Sequence, residues 1–566
     1  MANEDAKSTL EWGRVLICGG TDWPRLGRKG SKSDAVNEPA PDLLEPHILR
    51  SLGNIKATSV HTSAHSCHCV VLDIDGVAWL FGRNGSCALG EPATVDAISE
   101  NAPKRLAASE LGAAAGAKFV DAACGRNHTL LVGSDGALWT AGINTLGQCG
   151  HPVSPDVPTF KSVNVLSEGG GKERVVKATA GISFSAVLTD SGKVYTFGSG
   201  EKGQLGNGKT GERIITGNKL AFDVVTQPTQ VDGIDNRKIV QISAGQQHCI
   251  ALDSTGLVYV WGYGGYCRLG LGTQADELRP KMVPNFAGPN EILMGASVAA
   301  GPTNSVVVDR QGMYWMTGKW KNSGEGAFFH SHPRSHGSNN AFRLLRLALL
   351  LVPLYAGYHV GSPASHSIPR LNLGFHRACK VTKACCGGVT HWLLTPDDDD
   401  PETGEPTIMT VAWGQNAANG ELGLGPDEPK SATKPTRHVP LVGVNVIDIA
   451  AGQNTTLFIA KPTGKYSDLP RHPIDVDPPE ACIQCGEDHG DDGPEVLECE
   501  KCDAPYHLSC LTPPLESIPE GEWFCPDCEA EPGASVGAAV KKLKSKSLKR
   551  KAEPPAKAGP QKKKKQ

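Results

Sequence analysis

The chain is poor in aromatic residues, which make up 6% of its 566 positions, and it holds only 6 Met. An uncharged stretch at residues 347–360 runs for 14 residues. That is short of the ~20 needed to cross a bilayer, and Arg346 and Pro353 spoil it further, so no membrane role is expected. No basic, apolar and small-residue signal peptide opens the chain. Cysteine is not scarce, at 18, but eleven of these (Cys18, Cys87, Cys149 and Cys267 among them) are scattered without a disulfide framework. Their pattern points to a reducing compartment and to small buried packing roles. No nucleophile–base set or phosphate-cradling loop stands out, so no catalytic residue is assigned. The net charge of −4 is uninformative because charge is unevenly placed along the chain.

Glycine and proline are plentiful, at 66 and 40, which favours turns and short strands over long helices. Hydrophobic residues, at 39%, still allow a buried core. At ~150 residues per domain the length permits several domains or one large array.

Residues 14–460 repeat themselves. One half-motif is a small residue and Gly, a polar or His position, then an apolar run. It occurs as Cys124-Gly125 with His128, Ala180-Gly181, Ala244-Gly245 with His248, Ala300-Gly301, Cys386-Gly387 and Ala451-Gly452, with a degenerate copy at Ala64-His65-Ser66. The other half-motif is an apolar strand ending in Gly, then a Leu-Gly turn: Phe197-Gly198 with Leu205-Gly206, Trp261-Gly262 with Leu269-Gly270, and Trp413-Gly414 with Leu422-Gly423. Weaker copies end at Gly20, Gly82, Gly142 and Gly318. Each half-motif therefore occurs seven times. Self-similarity at a fixed spacing indicates an array or a propeller, and short alternating strands turning at Gly favour propeller blades. Residues 13–19 form a second half-motif without a first, and residues 451–460 a first without a second. Joined, they complete one blade and close a ring with no open edge.

Trp261, Trp413 and Phe197 are expected to fill blade cores. His128 and His248, at equivalent repeat positions, are expected to hydrogen-bond the backbone of a neighbouring blade rather than to bind metal. Between Gly301 and Gly387 the markers lie 86 residues apart. The additional segment, about 327–375, reads as an atypical insertion unlike propeller sequence.

The repeats resemble the regulator of chromosome condensation repeat family. The likeness rests on the opening Leu16–Lys29 segment with Trp23, on Cys124-Gly125 with His128, on Gly262 to Gly270 with Tyr266, and on Gly420 to Gly425. The opening is most similar to the telophase-disc branch of that family in vertebrates. The resemblance implies a seven-bladed propeller that docks proteins, with small GTPases and chromatin as family partners. Guanine-nucleotide exchange on a small GTPase acting at chromatin is the alternative function. No residue here can be assigned to such an activity.

The C-terminal region carries Cys482-x2-Cys485, Cys499-x2-Cys502, His507-x2-Cys510 and Cys525-x2-Cys528, eight zinc-type ligands within 47 residues. Zinc takes four nitrogen or sulfur ligands, so these make two ions. A segment this short folds largely on metal-binding energy. Ligand order separates the cross-braced families: a RING finger has His fourth and a LIM domain His third. Here the His is fifth, and Trp523 stands two residues before Cys525, which resembles a PHD finger. The resemblance implies cross-bracing, with Cys482, Cys485, His507 and Cys510 on one Zn2+ and Cys499, Cys502, Cys525 and Cys528 on the other. It also implies a reader of the histone H3 amino-terminal tail, added as a strand beside residues 495–498. Pro505, Leu497 and Glu495 stand where an aromatic cage for trimethyl-lysine would be built. From 482 to 529 there are 13 Asp or Glu and one Lys. The resemblance therefore favours the unmodified tail, its arginine held by Glu500 and Asp503, its lysine by acids such as Glu495, and its amino terminus by carbonyls around Pro519 to Gly521.

The chain thus reads as mainly β: a seven-bladed propeller at 1–460, a Pro-rich and stiffly extended linker at 461–480, a finger at 481–530, and a disordered basic tail at 531–566. From Lys541 onward there are 12 Lys or Arg against one acid, Glu553. Lys541, Lys542, Lys549, Arg550 and Lys551 resemble nuclear import signals, and such runs also bind nucleic-acid phosphate without sequence preference. The expected protein is a nuclear, chromatin-associated adaptor.

Overall fold

The computed structural model describes residues 11–27, 40–94, 97–319, 343–344, 380–397, 407–462, 464–474, 481–487, 496–500, 502–519, 521 and 523–529. The calls on residues 541–566 lie outside this set, as do Glu495, the apolar run at 347–360 and most of the segment 327–375.

Seven antiparallel sheets follow one another around a ring. One blade runs Phe119–Cys124, His128–Gly133, Leu138–Ile143 and Asp156–Val163. Its second strand is buried at every position, because the blade packs between two neighbours and neither face meets water. The same holds for Phe184–Thr189, His248–Asp253 and Asn304–Asp309. That double-sided burial explains why these strands read as continuous apolar runs rather than as an alternation. Trp261, Trp413 and Phe197 are each at most 1% exposed. They fill the inter-blade layers, and Trp261 donates its indole N–H to the Gln204 carbonyl at 3.0 Å.

The repeat glycines are dictated by backbone geometry. Gly19, Gly82, Gly142, Gly198, Gly262 and Gly318 all take φ between +99° and +114°. At Gly142 a Cβ would collide with the Asn127 carbonyl and His128. In the first copy the residue at this position is Gly19, paired with Thr455, rather than Gly20.

His68, His128 and His248 pair with Gly82, Gly142 and Gly262 on the adjacent strand. The expected backbone contact with the next blade, at His128, Phe184 and Asn304, is joined by a hydroxyl relay. His128 Nε2 lies 3.0 Å from Ser185 Oγ in the next blade, and that hydroxyl donates to the Gln148 carbonyl at 2.7 Å. His248 meets Ser305 Oγ at 3.0 Å, and His68 meets Thr129 Oγ1 at 2.8 Å. Since the Ser185 proton goes to a carbonyl, the imidazole must donate from Nε2. Burial pushes all three imidazoles down to about 3, so they stay neutral.

The ring closes as the orphan half-motifs require. Arg14–Gly20 pairs antiparallel with Thr455–Ala460, from Arg14↔Ala460 to Gly19↔Thr455, within a sheet ordered 446–451, 455–460, 14–20, 42–49, 471–472.

Two regions differ from expectation. Arg343–Leu344, inside the supposed insertion, pairs with Tyr314–Gly318 and supplies the fourth strand of the fifth blade. Part of that segment is therefore propeller, although its sequence lacks the repeat pattern. The described part of the Pro-rich segment is not an extended spacer either. A 3-10 turn at Gly464–Asp468 buries Tyr466 in the core of the closing blade, together with Leu469. Arg471–His472 then adds a fifth, parallel strand beside Asp42–Leu49. Two apolar side chains and one strand register outweigh the stiffness of Pro462, Pro470 and Pro473.

Candidate zinc finger and its dock on the propeller

Each finger ligand is placed by a short backbone device. Val496–Glu498 and Pro505–His507 form a two-stranded hairpin, with Leu497 opposite Tyr506. The hairpin carries Cys499 and Cys502 at its turn and His507 at its end. Leu497, Tyr506, Leu508 and Leu511 pack with the cysteines into one small core. Trp523 meets Tyr506 edge-on at 5.8 Å. Among the described residues the only α-helix is one turn, Pro526–Glu529, and it presents Cys528.

The eight residues fall into the two expected tetrads, Cys482, Cys485, His507, Cys510 and Cys499, Cys502, Cys525, Cys528, with all ligand atoms of a tetrad within 4.8 Å of one another. Tetrahedral zinc with Zn–S of ~2.3 Å and Zn–N of ~2.0 Å requires S···S of about 3.8 Å and S···N of about 3.5 Å. Cys502 and Cys525 sulfurs are 3.7 Å apart, and His507 Nδ1 lies 3.4 Å from Cys485 Sγ and 3.8 Å from Cys510 Sγ. The residues fit zinc. Backbone amides support the sulfurs, with His507 N donating to Cys482 Sγ at 3.4 Å and Cys525 N to Cys499 Sγ at 3.2 Å. Both sites are closed by four protein ligands, which suits structure rather than catalysis.

The other predicted residues are placed unevenly. Leu497 turns into the finger core at 7% exposure, while Val496 and Glu498 beside it face outward. No described strand pairs with the second edge of Val496–Glu498. Glu500 is exposed, as is Gly521, and Pro519 is half-buried. Pro505 is buried opposite Glu498. Asp503 is held by the protein itself. Arg50 Nε donates to Asp503 Oδ2 at 2.9 Å, and Arg471 pairs with Oδ1.

Those pairs belong to an interface that sequence reasoning missed. The Arg14 guanidinium, 1% exposed, donates from Nη2 to Cys528 Sγ at 3.4 Å. A Cβ on Gly53 would lie 2.8 Å from the Cys502 carbonyl, so the two backbones meet closely there. Ile48 N donates to the Pro470 carbonyl at 2.7 Å, and Arg50 Nη1 to the Ile474 carbonyl at 2.7 Å. His472 Nε2 lies 2.7 Å from Glu100 Oε1, whose other oxygen accepts from the Trp23 indole. One signal was available: Arg14 opens a strand whose other residues are apolar or Gly, an odd place for a cation with no partner.

A model of the RCC1-like domain matches residues 14–458, and a model of the PHD-finger matches 482–528. The chain belongs to the RCC1-like domain family. The chain is 28% identical over 464 residues to the Protein RCC2 homolog of Xenopus laevis, covering 79% of this chain and 78% of that one. Protein RCC2 of Homo sapiens is likewise 28% identical over 466 residues, covering 79% and 76%. Among solved structures, human WBSCR16 shares the fold with a TM-score of 0.57 at 19% identity, covering 79% of this chain and 99% of that one. Prp20p from Saccharomyces cerevisiae does so with a TM-score of 0.55 at 18% identity, covering 80% and 92%. The RCC1-like domain and the PHD finger, with its sites for two zinc ions, together account for nearly all the described residues.

Proposed function

We propose that this protein is a nuclear, chromatin-associated adaptor whose PHD finger binds the unmodified amino-terminal tail of histone H3 and whose propeller docks other proteins. The edge of Val496–Glu498 that no strand pairs with among the described residues carries the reading. An extended peptide can add there as a third strand, its backbone satisfied by the edge and its basic side chains by the carboxylates of Glu498 and Glu500. Glu495, Pro519 and Gly521 remain the proposed contacts for the tail lysine and the amino terminus. The basic residues from Lys541 to Lys551 supply nuclear import and a salt-sensitive hold on nucleic acid. Prp20p is described as binding Gsp1p and histones; it lends this chain a fold, and the histone partner is argued from the finger. Regulation of a small GTPase is the second reading, separated by a pull-down under nucleotide-free conditions.

The test is calorimetric titration of the zinc-loaded full chain with histone H3 amino-terminal peptides, one unmodified and one trimethylated on its first lysine. Tighter binding of the unmodified peptide, weakened by Glu500→Lys with zinc retained, is expected. Preference for the trimethylated peptide refutes the reading.

A further inference from the structure

The proposed seat for the tail arginine already has two guanidinium groups in it. A carboxylate presents two oxygens, and at Asp503 each is taken, one by Arg50 and the other by Arg471. The Asp503 side chain is only 14% exposed, and its backbone sits at φ +55°, in the left-handed region that Asp tolerates better than most residues. Neither arginine is a loose surface side chain. Arg50 opens the 3-10 turn Arg50–Leu52 that follows Asp42–Leu49, and a second nitrogen of its fork is fixed on the Ile474 carbonyl. Arg471 is held by strand pairing with Ile48.

We propose that Arg50 and Arg471 gate the finger, so that a histone tail binds fully only by displacing the protein's own arginines from Asp503. The inference rests on the tail reading proposed above and adds its regulation. The exchange is like for like, because an incoming arginine offers the same planar fork that it displaces. Exposed Glu500, three residues from Asp503, gives that arginine a first contact before the exchange. The finger need not leave the propeller when the seat opens. The Arg14–Cys528 bond and the approach of Gly53 to the Cys502 carbonyl hold it independently of Asp503.

The experiment titrates the unmodified histone H3 amino-terminal peptide into zinc-loaded full-length protein: wild type, the pair Arg50→Ala with Arg471→Ala, and Asp503→Asn. Zinc content and the thermal transition are checked for each, and where the alanine pair loses zinc the pair Arg50→Gln with Arg471→Gln replaces it. The arginine pair is expected to bind at least about tenfold tighter than wild type, since two competing guanidinium groups are gone. Asp503→Asn, which frees the same arginines but spoils the seat, is expected to show no gain. Equal affinity of wild type and the arginine pair overturns the gate and leaves the tail reading standing. An equal gain in Asp503→Asn also overturns it, because loosening alone would then explain the effect. Absence of binding by all three proteins overturns both.

Discussion

Removing zinc from the finger should destabilise the propeller, and Arg14 sets the size of the effect. Four thiolates around one Zn2+ leave a net charge of about −2 on the Cys499, Cys502, Cys525, Cys528 site. The Arg14 guanidinium is buried against that charge through Cys528 Sγ. Its Nε and Nη1 find no acceptor among the described residues, the Trp12 ring lies 5.1 Å away, and Cys502 and Tyr466 are the other ionisable groups close to it. Chelation would leave a buried cation without its counter-charge on the strand that closes the ring. Breaking a buried ion pair from one side costs about 3–5 kcal/mol. At ~2.1 cal/mol/K of unfolding entropy per residue, the 14–458 span carries about 1 kcal/mol/K, so the shift is about 3–5 °C. The assay is thermal unfolding followed by tryptophan fluorescence, which reports blade cores through Trp139, Trp261, Trp392 and Trp413, with and without a strong chelator. Arg14→Met supplies the control, since an apolar residue of similar length leaves no stranded charge. Chelation should shift its transition by at most about 1–2 °C. Equal chelator shifts in wild type and Arg14→Met would refute the role given to Arg14. No shift in wild type would refute the coupling altogether.

Other outcomes follow from the blades. Burial pushes His68, His128 and His248 down to about 3, and His391 and His438 to about 4. The unfolded chain takes up protons below ~6.5 while the native imidazoles do not, so this stability is present above pH 6.5 and lost as pH falls towards 3–4. Each histidine contributes on the order of 1 kcal/mol of loss by pH 5.5; a melting temperature unchanged between pH 7.5 and 5.5 would contradict this. His248→Asn, which installs the residue found at the equivalent position 304, should flatten the pH dependence. Gly262→Ala places a Cβ 2.6 Å from the Gln247 carbonyl at φ +99°, whereas at Gly233, with φ +82°, nothing lies within 4 Å. The first substitution should cost about 3 kcal/mol and the second about 1 kcal/mol in denaturant melts, the second being left-handed backbone strain alone. Trp261→Ala should cost about 3–5 kcal/mol by opening an inter-blade cavity.

Much of this architecture was readable because it recurs. A glycine held at φ near +100° in six of the seven blades is costly to replace, so Gly82, Gly142, Gly198 and Gly262 mark the ring even where the flanking strands diverge. The zinc ligands were readable for a similar reason: metal geometry fixes their spacing to the residue. The dock was not, because Arg14, Arg50, Gly53 and Arg471 belong to no period and matter through contacts distant in sequence. Composition misled over the described part of 461–480, up to residue 474, where the prolines suggested a spacer and Tyr466 with Leu469 carried the packing. The strand at Arg343–Leu344 was hidden because a two-residue pairing is set by its partner, Trp315 and Met316, and needs no sequence signature of its own.

The closing blade also has a history within each molecule's synthesis. Its strand Arg14–Gly20 leaves the ribosome early, and its partner Thr455–Ala460 emerges some 440 residues later. At ~5–20 residues per second that is a wait of roughly 20–90 seconds with one sheet edge uncovered. The finger is made after both, and its seat combines Arg14 from the first strand and Arg50 from the turn after the second with Arg471 from the last strand of that sheet. Arg471 reaches Arg14 and Arg50 through the pairing of residues 471–472 with residues 42–49, so the finger is seated across the junction of the earliest and latest strands of that blade.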